Sequence, residues 1–253
     1  MKVLVVGASG ATGQRLVELL LNRDIEVTAI TRTSHSLPDA LKQHKLLSEI
    51  HASIHEASDA EMALYARDCD AVVSCLGHNL TLKGMFGKPR LLVTDTVRRL
   101  CSAIEENRSV STTTSDSNSA VKFILMNTSG NSNRDIPEKT SLGQRCVIAL
   151  LRLLLPPHVD NEKAADFLRT HIGQENNNIE WTAVRPDGLI DAERVTDYQI
   201  YPSPIRDAIF DAGQTSRINV GHFMADLVSR DDLWQSWKGK MPVIYNTEQP
   251  TKE

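Results

Sequence analysis

Hydrophobic residues fall into short unbroken runs, separated by stretches in which they recur at helical spacing. Val3-Leu-Val-Val6 is the first run. It does not alternate, as expected of a strand buried on both faces of a parallel sheet. Leu16, Val17, Leu20 and Leu21 follow at the period of a helix. Further strand-like runs lie at 26–32, 70–77, 121–126, 179–185 and 243–245, and a third strand with no clean period is expected within 45–55. Helical spacing occupies 60–67, 91–106, 142–155 and 161–172, with another helix starting near Val220. Asp59 is the expected cap of the helix at 60–67. The helix at 142–155 is expected to stop at Pro156-Pro157. Its apolar character reads as core, with a lid over a pocket or a dimer face as alternatives. Strands alternating with helices predict an α/β fold, a doubly wound parallel sheet of Rossmann type. A small C-terminal segment at about 190–245 would supply the substrate-side wall, with Tyr198, Tyr201, Arg206, Asp207 and Arg217 on it.

Composition adds exclusions. A chain of 253 residues is the size of one α/β domain, 1–253. Its net charge of −4 gives no basic footprint for nucleic acid. The most apolar segment, 147–155, is interrupted by Arg152 and is too short to span a bilayer. Cys69, Cys75, Cys101 and Cys146 form no C-x-x-C pair and read as reduced core thiols. His51 and His55 lack a third ligand, so no metal is expected. Residues 109–119 are polar and read as a surface loop at the end of the sheet away from the ligand. The chain enters its first strand at once, so cytoplasm is the expected compartment. A monomer or homodimer is expected.

The chemistry begins at the end of the first strand, in Gly7-x-x-Gly10-x-x-Gly13. A strand, a glycine turn and a helix in that order aim free N–H groups and the helix dipole at whatever sits above the turn, which suits a pyrophosphate. The second strand ends at Arg32, followed by Thr33 and Ser34, about 20 residues on, where the dinucleotide ribose lies. A carboxylate there would select NAD. A guanidinium suits the 2′-phosphate of NADP, so NADP is preferred over NAD.

The run Val6-Gly-Ala-Ser-Gly-Ala-Thr-Gly13 resembles the phosphate loop of the extended and atypical short-chain dehydrogenases/reductases, which include biliverdin reductase B, a flavin reductase, and the NmrA-like proteins. The resemblance implies that Gly7, Ser9, Gly10, Ala11, Thr12 and Gly13 hold the cofactor. It adds Leu76 and Gly77 as cofactor contacts, and puts Ser129 or Thr128 beside the nicotinamide with Pro186. Lys163, in Asn161-Glu-Lys-Ala-Ala-Asp, resembles the lysine on the nicotinamide ribose, giving Ser129 and Lys163 as the catalytic pair.

The chain also departs from that pattern. Glu56-Ala-Ser-Asp59 stands where relatives carry Gly-Asp near the adenine, and Asp187 interrupts the Arg-Pro-Gly signature at 185–188. The proton-donating tyrosine of Tyr-x-x-x-Lys is Val159, and none of the four tyrosines has a lysine four places on. A positioned acid contributes roughly 10²–10⁴-fold. An acceptor that delocalises the charge left by hydride transfer can do without one and take its proton from water. The expectation is therefore an NADPH-dependent reductase of a flavin, quinone or similar conjugated acceptor. The alternative is an NmrA-like sensor that binds dinucleotide without turnover. His78 and Asn79 read as substrate contacts or an ordinary polar loop, and His158 as a substitute acid or an exposed residue preceding a helix.

Overall fold

The computed structural model describes residues 1–33, 37–78, 81, 86–110 and 119–247. Strand β1 (Lys2–Val6) pairs in parallel with β2 (Glu26–Thr31) on one side and β4 (Ala71–Ser74) on the other. With β3 (Leu47–His51), β5 (Val121–Met126), β6 (Ile179–Pro186), β8 (Tyr198–Tyr201) and β10 (Val243–Asn246), they form an eight-stranded sheet in the order β3-β2-β1-β4-β5-β6-β10-β8. Only β8 is antiparallel, on β10. Two short strands, β7 (Gly188–Ile190) and β9 (Gln214–Ser216), pair separately. This is a Rossmann-like α/β fold. Strand order reverses beside β1, which opens a crevice at the carboxyl ends of the strands.

The unbroken apolar run of β1 has its explanation in the two helical layers. Val3 and Val5 join a core with Leu16, Val17 and Leu20 of α1 (Ala11–Leu21) and Phe223 and Met224 of α7 (Arg217–Ser229). Leu4 and Val6 face the opposite core, with Met62 of α3 (Asp59–Tyr65), Leu100 of α4 (Leu92–Val110) and Ala164 of α6 (Pro156–Phe167). Among the described residues, further helices include α2 (Asp39–Lys42), α5 (Leu142–Leu154) and α8 (Asp231–Trp237), and a π-helical turn, Leu168–Ile172, continues α6. Among the described residues, no helix is long and apolar enough to cross a membrane.

Several local expectations change. Ser58, not Asp59, caps α3: its hydroxyl accepts from Glu61 N–H at 3.3 Å, while Glu61 Oε2 accepts from Ser58 N–H at 2.7 Å. That reciprocal pair is a capping box, which satisfies two helix-end donors where Asp59 would satisfy one. Pro156-Pro157 does not merely stop α5. It starts α6, five residues before the expected helix, because the first helical turn needs no N–H partner. The core reading of α5 also fails. Only Gln144 and Ile148 are buried, and Leu142 and Leu153 are 77% and 80% exposed. Cys146 on the same helix is exposed, whereas Cys69, Cys75 and Cys101 are buried. Strand β3 lies at the sheet edge and is half exposed, which explains its unclear period. Helix α4 runs on to Val110, and most of the polar stretch after it, 111–118, lies outside the described residues.

Candidate functional site

The glycine turn after β1 is built so that side chains stay out of it. Gly7 has φ 76°, and a Cβ there would meet the Cys75 carbonyl carbon at 2.6 Å. A Cβ on Gly13 would lie 2.2 Å from Gly7 O, so that glycine lets α1 press onto the turn. Gly10 is different. It is the N-cap of α1, its side of the turn is open, and a Cβ would meet only Gly7 O at 3.3 Å. No side chain caps α1, so its first-turn N–H groups face the crevice without an intrahelical partner. Ser9 is held in place when its carbonyl accepts from Gln14 Nε2 at 3.1 Å. Ala11 is exposed and Thr12 buried. This open cradle fits the phosphates of a dinucleotide.

Arg32 is exposed just past β2. The carboxylate of Glu49 on β3 reaches the same strand end, but it accepts a 2.7 Å hydrogen bond from Thr31 Oγ1 and lies 3.7 Å from His51 Nδ1. On the other side of β1, Leu76 is half-buried and Gly77 exposed beyond β4.

A hollow of about 360 Å³ lies beyond the ends of β5 and β6, lined by Thr128, Ser129, His158, Pro186, Asp187 and the apolar Ile148, Leu151 and Ile209. Its floor is braced. Asn127 Nδ2 donates to Asn161 O at 3.0 Å, and Ser129 N–H donates to Pro186 O at 2.9 Å. Ser129 Oγ donates to Asp187 Oδ1 at 3.0 Å. The same carboxylate accepts from Gly188 N–H at 3.0 Å and, at Oδ2, from Gly213 N–H at 2.8 Å. Burial pushes the Asp187 carboxyl above its ordinary value, and the hydrogen bonds from Gly213, Ser129 and Gly188 offset only part of that.

His158 sits inside α6 with its side chain only 10% exposed, not on an open approach to the helix. Its Nε2 is 3.5 Å from Glu162 Oε1. Burial works against the charge on Glu162, but hydrogen bonds and charge from His158 and Arg152 outweigh it and hold that carboxyl down to about 2. Arg152 of α5 grips Glu162 with Nε and its terminal nitrogen at 2.7–3.0 Å, so the exposed helix is tied to α6 across the hollow's wall.

Other expected site residues lie elsewhere. His78 is not at an open mouth: its side chain is buried, with Nε2 2.7 Å from Asp160 Oδ2. Asp160 is fully buried and also accepts from Val93 N–H at 2.8 Å and Thr94 N–H at 2.9 Å, so its carboxylate closes the start of α4. Asn79 lies outside the described residues, as does Ser34. Lys163 is exposed and lines a second hollow with Leu91, Arg98 and Phe167, apart from the one that holds Ser129. Of the segment at 190–245, only Ala208 and Ile209 reach the Ser129 hollow, while α7 packs on α1 and Arg217 pairs with Asp191.

Arg185, the arginine of the signature, is fully buried. It donates to Asn131 O, Met241 O and Glu138 Oε1, each at 2.7 Å, and so clamps the turn after β5 to the end of β6. Asp187 and Asp160 are the residues that sequence reasoning undervalued. The one signal for Asp187 was its intrusion into Arg-Pro-Gly; nothing marked Asp160. Among the described residues, no cluster of three His, Cys, Asp or Glu can hold a metal.

The sequence model of an NAD(P)H-binding family matches residues 7–231. An uncharacterized chloroplastic protein of Arabidopsis thaliana is 34% identical over 76 residues, which are 30% of this chain and 27% of that protein. The match thus spans about a quarter of the curated relative's length. Among solved structures, a short-chain dehydrogenase/reductase of Veillonella parvula in complex with NADP is similar with a TM-score of 0.70 at 16% identity, covering 99% of both chains. The oxidoreductase ylbE of Lactococcus lactis has a TM-score of 0.66 at 20% identity, covering 98% of this chain and 92% of that one. A putative NADH-flavin reductase of Streptococcus pneumoniae has a TM-score of 0.63 at 19% identity, covering 98% of this chain and all of that one. At these identities the structures establish a shared fold.

Proposed function

The chain belongs to the NAD(P)H-binding family, and we propose that it is an NADPH-dependent reductase that passes hydride to a flavin, quinone or similar conjugated acceptor. The observation that carries this reading is the placement of the open cradle and the braced hollow along one edge of one sheet. The cradle lies at the end of β1, and the hollow at the ends of β5 and β6, two and three strands away. With strands about 4.8 Å apart, that is roughly 10–15 Å, a distance a dinucleotide bridges.

In this reading the turn from Gly7 to Gly13, with Ser9, Ala11 and Thr12, holds the pyrophosphate. Leu76 and Gly77 lie under the central part of the cofactor, while Pro186 and the Thr128–Ser129 turn flank the nicotinamide. Bound NADPH supplies a hydride and leaves as NADP⁺, and the reduced ring takes its balancing proton from water. Val159 offers no proton, so the acceptor must carry the transferred charge by delocalisation. The sensor reading uses the same cradle and is equally consistent with Val159; turnover separates the two. We assign Lys163 no part in the hollow, because it lines a different one.

Arg32 makes the cofactor preference testable. A charge-assisted hydrogen bond to a phosphate contributes about 1.5–3 kcal/mol, or roughly tenfold or more in affinity. Calorimetry should therefore show NADPH binding more tightly than NADH, and Arg32→Ala should shrink the difference. Equal affinities in the unmodified protein would contradict the preference.

A further inference from the structure

We infer that Asp187 sets the hydrogen-bond polarity of Ser129, so that the hollow selects an acceptor ring presenting an N–H donor, of lactam or imide type. The inference rests on the proposed reductase reading and names the chemistry its substrate must offer. A serine hydroxyl has one hydrogen to donate and two lone pairs to accept with. An ionised carboxylate only accepts. Burial raises the Asp187 carboxyl, but both of its oxygens accept, Oδ1 from Gly188 N–H and Ser129 Oγ and Oδ2 from Gly213 N–H, which is the geometry of an acceptor-only carboxylate. The Ser129 hydrogen is therefore committed to Asp187 at 3.0 Å.

What remains for the hollow is a lone pair of Ser129 Oγ. A ligand carbonyl placed against it would meet oxygen with oxygen and no proton between them. A ligand N–H would pair with it. Next to it, Thr128 Oγ1 accepts from Gly130 N–H at 3.3 Å, which leaves its own hydroxyl hydrogen to donate. Acceptor and donor, from consecutive residues, thus line one hollow, which suits the adjacent N–H and C=O of a lactam or imide edge. An oxidised quinone carries carbonyls alone and satisfies only half of this pattern. Flavins and linear tetrapyrroles both carry the required edge.

The pairing is also fixed mechanically. Ser129 N–H is held by Pro186 O, and the carboxylate spans the end of β5, the start of β7 and the segment before β9. Asp187 is thus a positioning residue that acts through Ser129.

The test compares lumiflavin with its imide-N-methylated derivative, both as reducible acceptors with NADPH and as ligands of the NADP⁺-loaded protein titrated by flavin fluorescence. Biliverdin and menadione are added as a lactam ring system and a pure dicarbonyl. Leaving a buried hydrogen-bonding group unpaired should raise both KM and Kd about tenfold for the methylated flavin, with menadione similarly weak. Whether lumiflavin or biliverdin binds better separates the two sources of the edge. Ser129→Ala should bring the ratio between the two lumiflavins close to one. Asp187→Asn should lower or invert it, because an amide at 187 can donate to Ser129 Oγ and release the hydroxyl hydrogen into the hollow. Should that variant fail to fold for want of the Gly188 contact, which shares Oδ1 with Ser129, Ser129→Ala still decides, since it leaves both backbone donors on Asp187. Equal KM and Kd for the two lumiflavins in the unmodified protein would overturn the inference. If no acceptor is reduced at all, the reductase reading fails, while the ratio of the two Kd values still tests the polarity of Ser129.

Discussion

Replacing Gly10 with valine is expected to abolish dinucleotide binding in a protein that still folds. Gly10 has φ −73° and ψ 159°, a conformation valine adopts without strain, and an added Cβ meets only Gly7 O at 3.3 Å. The isopropyl group would then occupy the space above the first turn of α1, where the phosphates approach. Loss should exceed about a hundredfold in NADPH affinity, since both the N–H contacts and the close approach to the dipole go together. The control is Gly13→Ala. Its Cβ would lie 2.2 Å from Gly7 O, so that change should fail in folding rather than in binding. Calorimetry and thermal melts of the two variants separate the effects. A folded Gly10→Val protein with unchanged NADPH affinity would mean that the turn is structural only.

The second large effect concerns a group with no place in the chemistry. Asp160→Ala should destabilise the fold by about 3–5 kcal/mol, because two buried backbone N–H groups and the His78 ring lose their acceptor at about 1–3 kcal/mol each. At about 2–4 °C per kcal/mol for a chain of this size, melting should fall by roughly 10 °C. The reason is its set of partners: His78 Nε2 at 2.7 Å and the N–H groups of Val93 and Thr94, all buried with it. Burial disfavours the charged carboxylate, but hydrogen bonds from His78, Thr94 and Val93 prevail, and the folded protein holds Asp160 below the ordinary carboxylate value. A depressed folded pKa means stability that is present above the unfolded value and lost as pH falls through the folded one. The gap in melting temperature between wild type and variant should therefore be full at neutral pH and narrow as pH falls below the ordinary carboxylate value of about 4 towards the lower folded one. Equal melting at neutral pH would show that the cluster is not holding α4 to α6.

Asp160 and Asp187 also mark where the sequence stops being readable. The first strand and helix could be read directly, because a run buried on both faces and a stripe at helical spacing are local patterns. The glycine turn was legible for the same reason. The Ser129–Asp187 contact joins residues 58 apart, and His78–Asp160 joins residues 82 apart. No local spacing encodes either. His78 looked like a site residue because it follows a strand end, yet a carboxylate from a distant helix claims it. Pro156-Pro157 is ambiguous in sequence because the same residues that end one helix pre-set the first turn of the next. In α5 the helical period was right, but a period says which residues share a face, not whether anything covers that face. Leu142, Leu150, Leu153 and Leu154 are exposed. Ser58 and Asp59 are both residue types that cap helices, and only the reciprocal bond with Glu61 distinguishes them.

Turnover separates a reductase from a dinucleotide sensor. The deciding measurement is anaerobic mixing of the NADPH-loaded protein with a panel of flavins, quinones and aldehydes, followed by the loss of reduced-nicotinamide absorbance. A reductase of this kind should show oxidation matched mole for mole by reduction of a conjugated acceptor, with aldehydes inert. NADPH that binds in the cradle but is oxidised by none of the panel would contradict the reductase reading and leave a dinucleotide sensor.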